Sequence, residues 1–451
     1  MNKTRKTTFI SYLICFIIVF VLEMLYRNVN WIYDALDYWT RGNSIRENGF
    51  SLLGIEGFRG YIFPFYLSLA SVFGRMGFYI INALFLSFFV STIFPYIVNN
   101  GKKSCLRNAC AMILLCIFFC GLVVYPLSDL FALVVFSCAL CCLQKYKESQ
   151  KRRCRYILVG GVGFFAYLAY NTRTIYLFAG IAIIIYILIG IVLERKNSIK
   201  KRIGNTVRDI SVCGVGAMIA AFPQAIMNYS NLKVFSFKVP TNGLMLQQLF
   251  WGIQYQRYDT YVPAVADSLH GPQVYFEDKI GIQLLEKLGG EMNSSWFCYI
   301  KLFLENPIDC LGIYTRHLIN FLFPCWPEIY VKNLHSSKWI MGLLGICLFF
   351  VVAVALIEKC YIDSANFKSF VLMMIPAALI VPGAVEYRFS VSIYIFVICQ
   401  ICYNIEWHKL WIVFKNKWQK YLILFIGMVL LCFCQWMNML SSESVYPLLI
   451  Q

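Results

Sequence analysis

Charge is scarce in this chain. Only 14% of its 451 residues are Asp, Glu, Lys or Arg, whereas a soluble domain carries about 25%. Too little polar surface is present to coat several soluble cores. Acidic residues are scarcer still, 23 against 40 basic, which leaves a formal charge of +17. Internal repeats, low-complexity tracts and a P-loop pattern are missing, and the last absence removes the usual nucleotide-phosphate cradle. No cluster of ionisable residues interrupts the middle of an apolar run, which argues against ion-coupled transport. The four histidines, His270, His317, His335 and His408, all fall between apolar runs, which disfavours an intramembrane histidine base. No A-x-A-like site follows the first apolar run, so that run reads as a retained anchor.

Apolar length is abundant. Hydrophobic residues make up 60% of the chain and the mean hydropathy is +0.65. Lipid offers backbone groups no partner, so long continuous runs must satisfy their own hydrogen bonds as helices. The fold class expected is therefore all-α, a polytopic membrane protein. A membrane helix needs about 20 mostly apolar residues. Eleven runs qualify, some of them short: 9–26, 78–98, 109–126, 128–143, 156–171, 174–193, 210–227, 339–357, 369–383, 389–405 and 420–438. Residues 61–74 are apolar but short and contain Pro64, which reads as an interfacial helix that does not span. Most of the 19 cysteines lie inside apolar runs, as Cys116, Cys120, Cys138, Cys141, Cys142, Cys432 and Cys434 do. There they read as small hydrophobes.

Charge sidedness sets the orientation. With the N-terminus in the cytoplasm and 61–74 not spanning, 24 of the 40 Lys and Arg fall in short inner loops, as the positive-inside rule requires. The C-terminus is then extracytoplasmic. The basic excess is that of a membrane protein, and no nucleic-acid partner is expected. Three regions follow: residues 1–227, a transmembrane module with a first outer loop at 27–77; residues 228–338, a large extracytoplasmic loop; and residues 339–451, a C-terminal transmembrane module. Apolar stretches at helical spacing, Tyr275 to Leu288 and Trp296 to Leu304, suit the membrane surface.

The outer face concentrates the chemistry. Asp34 and Asp37 are three apart and share a helix face, with Tyr38 four after Asp34. A carboxylate there serves as a general base on a hydroxyl, or as a helix cap and a solvated loop acid. Asp129 stands just after Pro126 at a short outer hinge, where it or Ser128 caps the next helix, or joins the site. Arg59, Arg173 and Arg388 lie on the face poor in positive charge. Their guanidinium forks suit a phosphate, a lipid head group, or an intramolecular pair such as Arg388 with Glu386. Glu386, Tyr387 and Arg388 form a tight turn between the ninth and tenth runs.

Taken in order, these features resemble the GT-C superfamily of membrane glycosyltransferases, in the bacterial branch of protein mannosyltransferases and lipid A aminoarabinose transferases. Asp34-Ala35-Leu36-Asp37-Tyr38 resembles that family's Asp-x-x-x-Tyr motif after the first span. Arg59 to Pro64 is similar to its Arg-x-x-x-x-Pro stretch. Phe222 to Gly243 resembles its Pro-x-x-x-x-Asn turn, Asn306-Pro307 its Pro-led loop helix, and Glu386 to Phe389 its Arg-Tyr-Arg-type turn. The family's Asp-Glu pair is Asp34-Ala35 here, so the choice of catalytic acid stays open. The Trp-Trp-Asp-Tyr-Gly signature of oligosaccharyltransferases is absent.

The resemblance implies transfer of a sugar from a polyprenyl-phosphate donor to a glycan or lipid-linked acceptor of the cell envelope, at the outer face of a bacterial inner membrane. It implies Asp34, Asp37 and Asp129 as catalytic acids, and Arg59, Arg173 and Arg388 on the donor phosphate. Tyr38, Glu386 and Tyr387 would contact substrate. A divalent metal is possible and not required. A polysaccharide polymerase and a transporter of lipid-linked sugars are the competing expectations.

Overall fold

The structure, a computed structural model, describes residues 3–52, 59–99, 104–192, 199–241, 243–261, 273–287, 295–322, 330–331, 339–362, 367–415 and 417–442. Two of the histidines, His270 and His335, lie outside them. The chain is mostly helical and forms two compact units. Unit one comprises Met1–Ile113, Leu122–Pro240 and Ser364–Pro376. Unit two comprises Leu114–Gly121, Thr241–Asp363 and Ala377–Gln451.

The helices in chain order are α1 (Lys3–Leu25), α2 (Tyr33–Asn48), α3 (Ile62–Ala70), α4 (Gly74–Phe88), α5 (Phe94–Asn99), α6 (Cys105–Val124), α7 (Ser128–Glu148), α8 (Arg152–Thr172), α9 (Tyr176–Val192) and α10 (Ile199–Leu232). There follow α11 (Leu244–Gln254), α12 (Lys279–Lys287), α13 (Trp296–Glu305), α14 (Pro307–Leu322), α15 (Trp339–Ile357), α16 (Phe367–Ile380), α17 (Val391–Cys399), α18 (Trp407–Lys415) and α19 (Lys417–Ser442).

Among the described residues, five helical stretches are long and apolar enough to cross a membrane: Lys6–Leu25, Ile62–Val98, Cys105–Val124, Ser128–Glu148 and Ile203–Leu232. A sixth is formed if α18 and α19 count as one bent span. The remaining apolar runs also form helices. Three of them, Tyr176–Ile189, Met341–Ile357 and Val371–Ile380, are shorter, while α8 opens with Arg152, Arg153 and Arg155. At about 1.5 Å per residue, a straight Ile62–Val98 would far exceed the ~30 Å hydrocarbon core. Gly74 divides it, at φ +61°, a left-handed backbone that glycine adopts without steric cost.

Unit one has a clear polarity along its helix axes. α7 begins at Ser128 and Asp129 and ends with Lys145 and Lys147. α8 runs the other way, from its arginine-rich start to Thr172. Its acid–arginine residues and its cationic residues thus occupy opposite helix ends. Close packing holds the frame. α8 crosses α10 where Gly163 faces the backbone of Cys213 and Gly216 faces that of Gly160, with no room for a Cβ at either position. Small residues allow this approach between membrane helices.

Unit two departs from a purely helical expectation. It contains a three-stranded sheet of order β2-β1-β3, made of β1 (Tyr255–Tyr261), β2 (Gln273–Glu277) and β3 (Tyr330–Val331). β1 pairs antiparallel with β2 and parallel with β3. Its helical core gathers Phe250, Ile253, Leu284, Leu285, Leu302, Cys310 and Ile313. The tenth run is not one α-helix: Tyr387–Ser390 is a 3₁₀ turn, and Gln400–Asn404 a π-turn follows α17.

Candidate functional site

The strongest cluster of polar side chains in unit one stands on the first turns of α2. The helix begins without a side-chain cap, so Asp34 is not the cap that the sequence allowed. Tyr33 precedes it at φ +48°, a strained backbone for a bulky residue. Asp34 and Asp37 share one face, and Arg59 closes over both. Its Nη2 donates to Asp34 Oδ1 at 2.7 Å, its Nε to Asp37 Oδ2 at 3.3 Å and its Nη1 to the Tyr38 hydroxyl at 3.0 Å. The guanidinium also lies over the Tyr38 ring, 4.6 Å from its centroid. Burial works against the charge on Arg59, but Tyr38, Asp34 and Asp37 outweigh it and raise its pKa above the ordinary arginine value. The side chains of Asp34, Asp37 and Arg59 stay 29–34% exposed, so a substrate can reach them.

Asp37 is held from both sides. Its Oδ1 accepts from Nε of Arg41 at 2.9 Å, one helical turn on, and Arg41 is only 3% exposed. Arg41 was not among the residues selected from the sequence, although an acid and an arginine four apart on one helix face announce such a pair.

Asp129 joins the same unit. α7 also starts without a side-chain cap. Ser128 Oγ instead shares a hydrogen bond of 2.9 Å with the Tyr38 hydroxyl. Asp129 is buried and forms an ion pair with Arg173, which stands at the end of α8. Four of the nine selected residues, Asp34, Asp37, Tyr38 and Arg59, are therefore joined through Arg59, and Tyr38 bonds to Ser128, the chain neighbour of Asp129. Arg173 is attached through Asp129.

A second layer, which sequence reasoning missed, fixes the segment that carries Arg59. Gly60 lies so close to the Asn171 backbone that a Cβ has no space. Asn171 Oδ1 accepts from the Ile62 amide at 2.9 Å, and its Nδ2 donates to Gln224 Oε1 at 2.6 Å. Gln224 Oε1 also accepts from the Tyr61 amide, and Gln224 Nε2 donates to Asn228 Oδ1. Asn228 in turn donates to the carbonyls of Ser236 and Lys238. The Pro223 to Asn228 stretch is not a turn, as the resemblance implied. Pro223 lies within α10, which continues to Leu232.

Beside Arg173 an apolar cleft of about 230 Å³ opens between α8, α9 and α10. Val162, Gly163, Tyr167, Tyr176, Ile184 and Ala217 help line it. Tyr176 donates its amide to the carbonyl of Arg173 at 3.0 Å, so the lining of the cleft begins three residues after Arg173 in the chain.

Glu386, Tyr387 and Arg388 belong to unit two and form an arrangement of their own. Arg388 Nε meets Glu386 Oε2 at 2.6 Å, with both side chains at most 7% exposed. Of the roles left open for Arg388, the intramolecular pair is the one observed. Tyr387 stacks on Phe119 at 5.2 Å and donates to the carbonyl of Phe118, beside the non-helical backbone of Phe119. Two histidines placed between apolar runs sit on helices, His317 on α14 and His408 on α18. His317 is fully buried and its Nδ1–H donates to the carbonyl of Val381 at 2.7 Å. Burial pushes its pKa below the ordinary histidine value, against the opposing pull of the Val381 carbonyl and Asp278. Among the described residues no three His, Cys, Asp or Glu side chains gather as a metal cage.

Fold and site together define a mostly helical integral membrane protein, in contact with a lipid bilayer through its apolar helices, with an acid–arginine cluster at the helix ends of one unit. The chain matches no family model, no curated protein and no solved structure.

Proposed function

We propose that this chain is a GT-C-type glycosyltransferase that moves a sugar from a polyprenyl phosphate to a hydroxyl of a cell-envelope glycan or lipid-linked acceptor. In this reading all eleven apolar runs cross a bacterial inner membrane, the N-terminus is cytoplasmic and the α2 cluster faces outward. One observation carries it: Arg59 binds two reachable carboxylates and Tyr38, Tyr38 bonds to Ser128, and the next residue, Asp129, pairs with Arg173, three residues before Tyr176 in the lining of an apolar cleft. A carboxylate base, a phosphate partner and a slot for a lipid tail are what this donor needs.

The roles follow from the contacts. Both oxygens of Asp37 are engaged by Arg41 and Arg59, so Asp37 orients Arg59. Asp34 takes the acceptor's proton as the hydroxyl oxygen attacks the anomeric carbon. The bond from that carbon to the phosphate oxygen breaks, and polyprenyl phosphate leaves with one more negative charge. Arg59 and Arg173 oppose that charge, and interactions that strengthen as the leaving group departs raise the rate. Arg388 stays with Glu386, and Tyr38 holds Arg59 over the acids. A divalent metal, if one is used, adds to this set, and no step is assigned to it.

The test is donor turnover. The purified chain in lipid is given radiolabelled polyprenyl-phosphate sugars and an envelope extract as acceptor. Release of polyprenyl phosphate that depends on the acceptor is expected. If no donor turns over while label crosses the bilayer, or while a lipid-pyrophosphate glycan is polymerised, the reading fails.

A further inference from the structure

At the end of unit one opposite the α2 cluster, arginines outnumber the acids that could balance them. Arg152 and Arg155 stand on the first turn of α8, and Arg208 stands on α10. Asp209, 2% exposed, accepts from the Tyr146 hydroxyl at 2.6 Å, and that oxygen accepts from Arg155 Nη2 at 2.9 Å. Arg208 Nε lies 3.5 Å from Asp209 Oδ1 but makes no hydrogen bond. Glu148, which closes α7, accepts instead from the Tyr96 hydroxyl at 2.6 Å.

Arg152 and Arg208 converge on one aromatic ring. Arg152 Nε donates to the Tyr156 hydroxyl at 2.6 Å, and its guanidinium lies 5.5 Å from the ring centroid. The Arg208 guanidinium lies 5.1 Å from the same centroid. The two like charges are therefore within roughly a Debye length of each other and repel. Membrane insertion accounts for basic residues at one end of the helices. It does not account for two of them gathered on one tyrosine, with no carboxylate hydrogen-bonded to either among the described residues. α8 also starts without a side-chain cap, so its first amides add partial positive charge at the same end.

The rim indicates which kind of anion fits. Ile157, which follows Tyr156, is 75% exposed, and Val207, which precedes Arg208, is 60% exposed. Ile203, one turn before Val207, is also exposed. A soluble anion gains nothing from aliphatic neighbours, whereas a lipid offers its phosphate to the arginines and its acyl chains to the rim.

We infer that the start of α8 and the Arg208 turn of α10 bind one anionic phospholipid, its phosphate between Arg152 and Arg208 and its acyl chains against Ile157 and Val207. The phosphate offsets the repulsion of the two guanidinium groups. Tyr156 holds both of them in place, and Arg155 stays with Tyr146. Lys151 and Arg153, exposed beside Arg152, strengthen the attraction. The assignment requires only that unit one sits in a bilayer, so it stands apart from the sugar-transfer reading.

The experiment uses the full chain, delipidated in detergent and titrated with phosphatidylglycerol or phosphatidylethanolamine, with bound lipid counted by native mass spectrometry. One phosphatidylglycerol should bind severalfold more tightly than phosphatidylethanolamine, whose ammonium neutralises its own phosphate. Arg152→Gln and Arg208→Gln, made separately, should each lower the phosphatidylglycerol affinity about fivefold. Arg107→Gln, at an exposed position on α6, should leave it unchanged. Equal affinity for the two lipids, or wild-type affinity in the arginine variants, would overturn the inference. An equal loss in Arg107→Gln would reduce the site to diffuse surface charge and overturn it as well. Displacement of the lipid by millimolar inorganic phosphate would make a soluble anion the ligand and overturn the lipid assignment. Since the two arginines are tested separately, failure of one variant to fold leaves the other decisive.

Discussion

Arg59 makes three side-chain hydrogen bonds, to two carboxylates and a phenol, so its geometry matters as much as its charge. A lysine has no planar fork and cannot serve three partners in those directions. Arg59→Lys is expected to lower turnover by about 10–100-fold, on the basis of one charge-assisted hydrogen bond lost at roughly 1.5–3 kcal/mol. The steady-state rate in lipid checks this, and wild-type turnover would contradict it. Asp37→Asn should act differently. It removes the carboxylate partner of a guanidinium that is 3% exposed, and an amide cannot balance that charge. A stability loss of about 1–3 kcal/mol is expected, read as a lower melting temperature in detergent. The acids and arginines of this region were legible in the sequence. Their pairing was not, because the functional reading treated each as facing a ligand and not its neighbour. The Asp37–Arg41 spacing was the available clue. Gln224 and Asn228, four apart on α10, carried a similar clue, but Asn171 comes from α8, and a buried amide that bonds across helices far apart in sequence leaves no local signal.

At the scale of the elements, the glycines govern how closely the helices approach. At Gly60 an added Cβ meets the backbone of Asn171, which has no flexible end to move aside. Gly60→Ala should therefore displace the Arg59 segment, at a cost of about 1–3 kcal/mol for overpacking. Turnover and melting temperature are expected to fall together, whereas Gly204→Ala, inside α10 with open space around it, should keep turnover and hold or raise the melting temperature. Equal behaviour of the two variants would refute the packing account. Long apolar runs made the helices legible, because lipid leaves the backbone no other choice. The sheet escaped notice for the opposite reason. β1 reads Tyr-Gln-Arg-Tyr-Asp-Thr-Tyr, with no sustained apolar alternation, and its partner β3 lies about seventy residues further on. The seventh apolar run ended at 227 and the resemblance implied a turn there, yet α10 absorbs Pro223 and runs on to Leu232.

At the scale of the whole molecule, pH and charge transfer give the sharpest tests. His317 is buried and its pKa is held below the ordinary value. As pH falls below about 6.5, the unfolded chain takes up a proton that the folded chain resists, so stability is present above that pH and declines beneath it. The slope is bounded by about 1.4 kcal/mol per pH unit. Melting temperature should drop between pH 7.5 and 5.5, and His317→Gln should flatten the drop; an unchanged slope in that variant would exclude His317 as its source. The central claim is that Asp34 takes the acceptor's proton during sugar transfer. The measurement that tests it most directly is the single-turnover rate of polyprenyl-phosphate release for wild type and Asp34→Asn at saturating donor. The account predicts a loss of about 10²–10⁴-fold in that variant, with donor affinity and melting temperature retained. A rate for Asp34→Asn close to wild type would contradict it.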